Sequence, residues 1–242
     1  NKAAVEALLA IVNLHMRNFD LAATHADVAL QYNATLLDLQ QFATSASGYP
    51  LPFNHPETYF LKQVGQMIDQ QLNPELVSLF DTKDLRRTVY MQAGTGQMPS
   101  GALRSKKMSV MVGAPNAGPS VPEMLLIKAE VEARKGNTAT AMEFVNKLRA
   151  KRFKQQDFTP LSATSADQAL QIIVDERRRE FFGTGLRWLD MRRFNLDAKL
   201  AKEFKRQFIN QEYTLKINSA SYVYPVANKY LQLNPEIGQR PM

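Results

Sequence analysis

Residues 123–151 read EMLLIKAEVEARKGNTATAMEFVNKLRAK, and the reading of this stretch decides the fold. Two helical runs flank Gly136-Asn137-Thr138, a turn whose glycine suits the position just past a helix C-terminus. A related unit occupies residues 3–31, where Val5, Leu8, Leu9, Val12 and Met16 recur at helical spacing. There Arg17-Asn18-Phe19-Asp20 breaks the pattern, and Asp20 is placed to cap the next helix. Asn18 matches Asn137 at a separation of 137 − 18 = 119 residues, and the same offset sets Ala10 on Ala129, Ala22 on Ala141, Ala26 on Val145 and Ala29 on Leu148. Small residues at these places let two helix backbones approach closely, as in a degenerate tetratricopeptide hairpin. Any helical hairpin can carry alanines at such spacings, so a true repeat and a plain hairpin both stay open. The copies are not tandem, so an ordinary solenoid is not indicated.

Between the hairpins, residues 33–120 carry dense punctuation: Ser45 to Pro50, Pro52, Pro56, Pro74, Gly94, Gly96, Pro99, Gly101, Gly113, Pro115, Gly118 and Pro119. Such a stretch predicts loops and short elements, and loops on a rigid scaffold are where binding residues usually sit. Further on, residues 167–194 read DQALQIIVDERRREFFGTGLRWLDMRRF. Leu170, Ile173, Val174, Arg177 and Phe181 mark one face of a helix ending at Gly183-Thr184-Gly185; Trp188, Leu189 and Met191 mark a second, short one. Ala198 to Phe208 reads as more charged helix, Tyr222 to Val226 as irregular chain, and the proline-punctuated tail as a surface wrapping. The expected fold is mainly α: one domain over 1–242 with helical hairpins at 3–31 and 121–151, a loop-rich insertion at 33–120, and C-terminal helices and tail at 167–242.

Composition narrows the function. With 242 residues, 45% hydrophobic and 22% charged, the chain can bury a core, which excludes disordered and collagen-like classes. It has no cysteine, which excludes thiolate metal sites, a cysteine nucleophile and disulfide stapling. The net charge of +7 invites a nucleic-acid reading, yet Lys and Arg cluster in helices that also hold acids, which reads as paired or solvated faces. The longest apolar run, Ala7 to Val12, is far below the ~20 residues of a spanning helix. The chain opens as an amphipathic helix on Asn1 rather than as a signal peptide, and the absence of an initiator Met suggests a processed or partial polypeptide.

Motifs for catalysis are missing. Asp175, Glu176 and Glu180 share a helix with Arg177, Arg178 and Arg179 at spacings of three and four, so each acid has a local cation and reads as part of an ion-pair network. His15, His25 and His55 show no HExxH-type spacing, and there is no GxSxG, P-loop or GxGxxG. Asp81 reads as the cap of a short helix and Asp84 as a partner of Arg87, in preference to a calcium loop. No cofactor or metal is expected. Aromatic side chains are the remaining chemistry, since planar rings can stack on the apolar faces of sugars. Tyr49, Phe53, Tyr59 and Tyr90 in the loop-rich region are the candidate glycan contacts; Tyr222 and Tyr224 lie in the late irregular segment, and Trp188 reads as core.

Taken together, these residues resemble the SusD/RagB family of outer-membrane nutrient-binding lipoproteins of Bacteroidetes. The resemblance is carried by Glu123 to Glu130 with Gly136, Asn137, Ala141 and Asn146 to Arg149, and by Glu176 to Phe182 followed by Gly185 to Arg193. It is carried also by Tyr224-Pro225-Val226 with Asn234-Pro235 and Gln239, and by Asn73 to Leu76 with Asp84 and Arg86. The resemblance implies a tetratricopeptide-like scaffold with inserted loops, sitting at the cell surface as a lid on a TonB-dependent transporter and capturing oligosaccharide without turning it over. The block Glu176, Arg177, Arg179, Glu180, Arg187, Trp188 and Asp190 reads as structural, holding the last helices together through paired charges and Trp188 packing. Members usually run to about twice this length, with a lipidated N-terminal cysteine and further hairpins that this chain does not contain, so it reads as their C-terminal portion. Gln239-Arg240 stands where the family usually has Gln-Asn. Three rivals remain: a scaffold binding peptides or a partner protein, a glycosidase with opposed carboxylates, and a nucleic-acid binder.

Overall fold

The computed structural model describes residues 1–44, 49–62, 71–96, 98–107, 116–208 and 210–238; of the features noted above, Ser45 to Gly48, Gly113, Pro115 and Gln239-Arg240 lie outside these. Helix α1 (Lys2–His15) and helix α2 (Phe19–Tyr32) form the first hairpin, and α5 (Val121–Arg134) and α6 (Thr138–Arg149) the second. Their turns share a backbone. Arg17 and Gly136 both have positive φ, 65° and 86°, and Asn18 and Asn137 follow with φ/ψ of −80°/68° and −81°/65°. Each asparagine side chain donates back across its turn, Asn18 to Asn13 Oδ1 at 3.2 Å and Asn137 to Glu132 Oε2 at 2.8 Å. Asn18, not Asp20, holds the N-cap position of α2, and Asp20 instead meets Lys135 at 2.8 Å.

The face that α1 buries is not its larger-residue stripe. Ala3, Ala4, Ala7, Ala10 and Leu14 are buried, while Val5, Leu8, Leu9, Val12 and Met16 are exposed, Met16 to 65%. The reason lies in α2, whose buried residues are Ala22, Ala23, Ala26 and Ala29: alanine against alanine brings two backbones together, which the bulkier stripe would prevent. Behind this pair, α2 packs on α5, and α5 packs on α6 and on α7 (Ala166–Glu180). Helix α5 is central and buried nearly all round, with Val121, Met124, Leu125, Leu126, Ile127, Ala129, Val131 and Ala133 enclosed together with the carboxylates of Glu123 and Glu130. Helix α7 starts in a reciprocal cap: the Ser165 hydroxyl accepts the Gln168 N–H at 3.2 Å, and Gln168 Oε1 accepts the Thr164 N–H at 2.7 Å.

Within 33–120 the described residues form short pieces. They include α3 (Pro74–Ser78), α4 (Leu85–Tyr90), two 3₁₀ turns, and an antiparallel pair, β1 (Met91–Ala93) and β2 (Leu103–Ser105), with Met91 opposite Ser105. These pieces enclose a second apolar cluster around Leu39, Phe42, Tyr49, Phe80, Val89, Tyr90 and Phe182. The chain divides into two compact units, Asn1–Arg187 and Trp188–Met242. The second unit takes up most of α8 (Leu186–Phe194), then a hairpin of β3 (Phe204–Phe208) and β4 (Gln211–Leu215), then α9 (Asn228–Leu233). The hairpin replaces the charged helix read from Ala198 to Phe208. Phe204, Tyr213 and Thr214 are strand formers, and the Lys205–Glu212 pair at 2.9 Å is made between strands. No helix among the described residues is long and apolar enough to cross a membrane.

Gly136 tests the shared turn. Its left-handed backbone strains any side chain even though the space around it is open, so Gly136→Ala is expected to cost about 1–2 kcal/mol. A lowered urea midpoint with unchanged helical circular dichroism is the expected result.

Candidate functional site

The C-terminal turn of α7 lies against the start of α4 and the end of α6, and guanidinium groups join them. Arg86 is fully buried: its Nε and Nη2 take Asp84 at 3.0 and 2.7 Å, and its Nη1 donates to both Glu176 and Glu180 at 2.8 Å. Arg152, equally buried, donates to Glu180 at 2.7 Å, to Glu57 at 2.9 Å and to the Leu37 carbonyl at 2.8 Å. Glu176 also accepts from Arg179 at 2.7 Å and Arg149 at 3.3 Å. Asp84 additionally caps α4 by accepting the Arg86 N–H at 3.0 Å. The carboxylates of Glu57, Asp84, Glu176 and Glu180 thus face the guanidinium groups of Arg86, Arg149, Arg152 and Arg179, charge for charge. Burial alone would push the Glu176 carboxyl up, but Arg86, Arg179 and Arg149 together hold it well below the usual range; Glu180 is held down likewise against its burial, chiefly by Arg152 and Arg86.

This pairing is less local than helical spacing predicted. The Glu176–Arg179 contact is made within the helix, but Glu180 turns to Arg86 and Arg152, Arg177 reaches Glu123 on α5 at 3.5 Å, and Asp175 accepts from Gln171 at 3.1 Å. Arg87 is not the partner of Asp84, since its side chain goes to the Val77 carbonyl, and Asp81 accepts the Lys83 N–H in a turn. Arg187 closes the first unit half-buried; in the second, Asp190 pairs with Arg193 at 2.9 Å.

Lys107 adds a further cation beside this lattice. Its ammonium donates to the carbonyls of Glu180 at 2.8 Å and Phe182 at 3.0 Å, groups left free where α7 ends, and lies 4.1 Å from the centre of the Phe182 ring. Burial, and then the nearby Arg86 and Arg152 against the pull of Glu180, bring its pKa down to about 7. Above it opens a recess of about 70 Å³ lined by His55, Thr58, Tyr90, Lys107, Asn116 and Ser120 among others. This is under half the roughly 150 Å³ of a cavity that takes up benzene, so it holds water or a hydroxymethyl group but not a whole sugar ring. Burial and Arg152 bring His55 down to about 4, so it is neutral near pH 7.

The aromatic candidates divide sharply. Tyr49 and Tyr90 are buried, joined hydroxyl to hydroxyl at 2.8 Å, with the Tyr49 hydroxyl also 3.1 Å from His55. Tyr59 is buried too, its hydroxyl donating to the Asn33 carbonyl. Rings enclosed in this way offer no face to a sugar, although Tyr90 lines the recess. Phe53 differs: it is 69% exposed on the 3₁₀ turn Pro52–Asn54, between Pro52 and His55 of the recess wall. Trp188 is half-buried rather than enclosed in aliphatic core. Arg152, Glu57 and Lys107 carry no local signal in the sequence, because their charged and carbonyl partners lie 28–115 residues away in the chain. Among the described residues, no cluster of His, Asp and Glu is arranged to hold a metal ion.

Two outcomes follow from the lattice. Glu180→Ala leaves Arg86 and Arg152 under-compensated in the interior, so unfolding free energy should fall by about 3–5 kcal/mol in urea titrations. Lys107 gives a pH signature. Its folded pKa lies below the ordinary lysine value of 10.5, so between about pH 7 and that value the unfolded chain binds more protons and stability rises with pH. Lys107→Met should flatten this rise in melting temperature.

Comparison with known proteins bears on what this architecture is. In the solved structures, similarity extends over nearly all of the chain. A SusD-like carbohydrate binding protein from Bacteroides vulgatus is 20% identical with a TM-score of 0.66, covering 96% of this chain and 58% of that one. A putative sugar binding protein from the same organism is 17% identical with a TM-score of 0.74, covering 100% and 59%. The surface glycan-binding protein A from Bacteroides uniformis is 14% identical with a TM-score of 0.63, covering 97% and 59%. Identities this low establish a shared fold, and the chain spans somewhat under three-fifths of each of these structures. No curated protein matches. The SusD family model matches residues 121–242, half of the chain, from the central helix α5 through the buried arginine lattice of α7 to the end. The chain belongs to the SusD family.

Proposed function

We propose that this chain is part of a cell-surface glycan-binding protein of the outer membrane, one that captures oligosaccharide and delivers it to a TonB-dependent transporter without chemical turnover. The observation that carries the reading is Phe53, an exposed ring on a proline-fixed turn beside a recess lined by hydroxyl, amide and imidazole groups together with Lys107 and the arginine-paired carboxylates of Glu57 and Glu180. A ring face for the apolar side of a sugar, next to groups that bond hydroxyls, is what neutral glycan recognition requires. Two structural relatives are themselves described as carbohydrate- or glycan-binding. Glycosidic hydrolysis needs one carboxylic acid free to give a proton and a second facing it. Here Glu57, Asp84, Glu176 and Glu180 all accept from guanidinium groups, which supports binding over turnover.

A second reading, a scaffold for peptides or a partner protein, is favoured by the exposed apolar stripe Val5, Leu8, Leu9, Val12 and Met16 on α1. Thermal-shift screening with oligosaccharides and with amphipathic peptides separates the two. For the glycan reading, Phe53→Ala should weaken affinity on a glycan panel roughly two- to tenfold, the worth of one aromatic contact, with the melting temperature unmoved. Undiminished affinity in that variant, or release of chromogen from an aryl glycoside by the native chain, would count against the proposal.

A further inference from the structure

The recess beside Phe53 has a rigid rim. Thr58 and Ser120 face each other in an antiparallel bridge, the Glu57 carbonyl accepts the Val121 N–H at 2.8 Å, and the Pro119 carbonyl accepts the Tyr59 N–H at 3.1 Å. These bonds fix Glu57, Thr58 and Ser120 on two chain segments at the start of α5, and all three line the recess. Hydrogen-bonding capacity is left over there. Glu57 is 6% exposed; its Oε1 takes the Leu37 N–H at 2.8 Å and Arg152 at 2.9 Å, while its Oε2 has no partner among the described residues. That oxygen is not sealed off: it keeps contact with solvent, and the recess is the free space that Glu57 lines. Burial raises the pKa of this carboxyl more than Arg152 lowers it, and Glu180 adds to the rise. A hydroxyl donated to the open oxygen supplies solvation that the charge lacks. The Ser120 hydroxyl, at the N-cap of α5, makes no bond to the helix it precedes.

Size and lining together select the occupant. At roughly 30 Å³ for each water-sized group, a recess of about 70 Å³ holds two such groups and no ring. Pro52, Pro122 and Phe181 give the lining apolar surface for a methylene, and Glu57 offers an acceptor for a hydroxyl. A methyl group leaves the open oxygen unmet, and a carboxylate is repelled by it. A hydroxymethyl arm suits both parts of the lining, and its pyranose ring then stays outside, beside the exposed Phe53.

We propose that the recess receives the hydroxymethyl arm of one hexopyranose in the bound glycan, with the arm's hydroxyl donating to Glu57 Oε2 and the sugar ring held against Phe53. This rests on the glycan-binding reading and narrows it: the site selects chains of hexoses that carry the arm over pentose chains that lack it.

Cellohexaose and xylohexaose make a matched pair, both chains of equatorially linked pyranoses that differ only in the arm. The test follows heat of binding as the native chain is titrated with these two, with maltoheptaose and with mannohexaose. The expected result is heat with at least one hexose chain and binding of xylohexaose weaker by about tenfold or more, the cost of leaving a built acceptor unmet. Ser120→Leu, which fills the recess without breaking a cap bond, should cut affinity for that hexose chain by a similar factor with the melting temperature held. Should Ser120→Leu fail to fold, the sugar pair alone decides. Xylohexaose binding as tightly as the best hexose chain, or undiminished affinity in a folded Ser120→Leu, overturns the hydroxymethyl site and leaves the glycan reading standing. An absence of heat with all four sugars overturns the glycan reading, and the hydroxymethyl site falls with it.

Discussion

Glu180 accepts from two guanidinium groups at once, Arg86 from the start of α4 and Arg152 just past the end of α6, and most of the first unit is arranged around that necessity. Two buried arginines cannot stand uncompensated in an apolar interior. Glu176 lies one helical turn back and shares Arg86; Glu57 arrives from a loop to share Arg152. The result is a neutral lattice in which Asp84–Arg86 and Glu176–Arg179 close locally while Arg86 and Arg152 join distant parts of the chain. Such lattices do not repay their desolvation handsomely. Here the lattice ties the start of α4 to α7 and to the end of α6, and removing one partner strands a buried charge.

In the proposed function, that tie bears on recognition. Tyr49, Tyr90 and His55 form a hydrogen-bonded line against the lattice, and Lys107 closes the end of α7 over Phe182. These groups give the loop region a firm floor on which Pro52 and Phe53 stand. Rigid placement of an exposed ring lowers the entropy lost when ligand binds, which is how a loop without regular secondary structure can still select.

Helical periodicity located the long helices well, and it placed the acids of α7 among arginines. It failed where the decisive contact was remote. In α1 the larger apolar residues gave the helix its signature, yet alanines make its packing face, because close approach to α2 favours absence of bulk over hydrophobicity. Around Phe204 a run of Lys, Arg and Glu suggested helix, and cross-strand pairing with residues 211–215 made a hairpin. Three of the loop aromatics read as ring platforms are enclosed, since a tyrosine between apolar neighbours with a hydroxyl partner is equally content inside. Nothing local in the sequence distinguishes Tyr49 from Phe53.

What the sequence determined by itself is what depends on neighbours three or four residues apart: the helices, the two matching turns at Arg17 and Gly136, and the crowding of charge at the end of α7. The tertiary structure decided everything that depends on which segments meet. It chose Arg86 and Arg152 over Arg177 as partners of Glu180, buried Lys107, enclosed Tyr90 and left Tyr224 on the surface. The physical reason is that burial and long-range charge pairing are properties of a neighbourhood in space, and the stretches that build these neighbourhoods stand tens of residues apart in the chain.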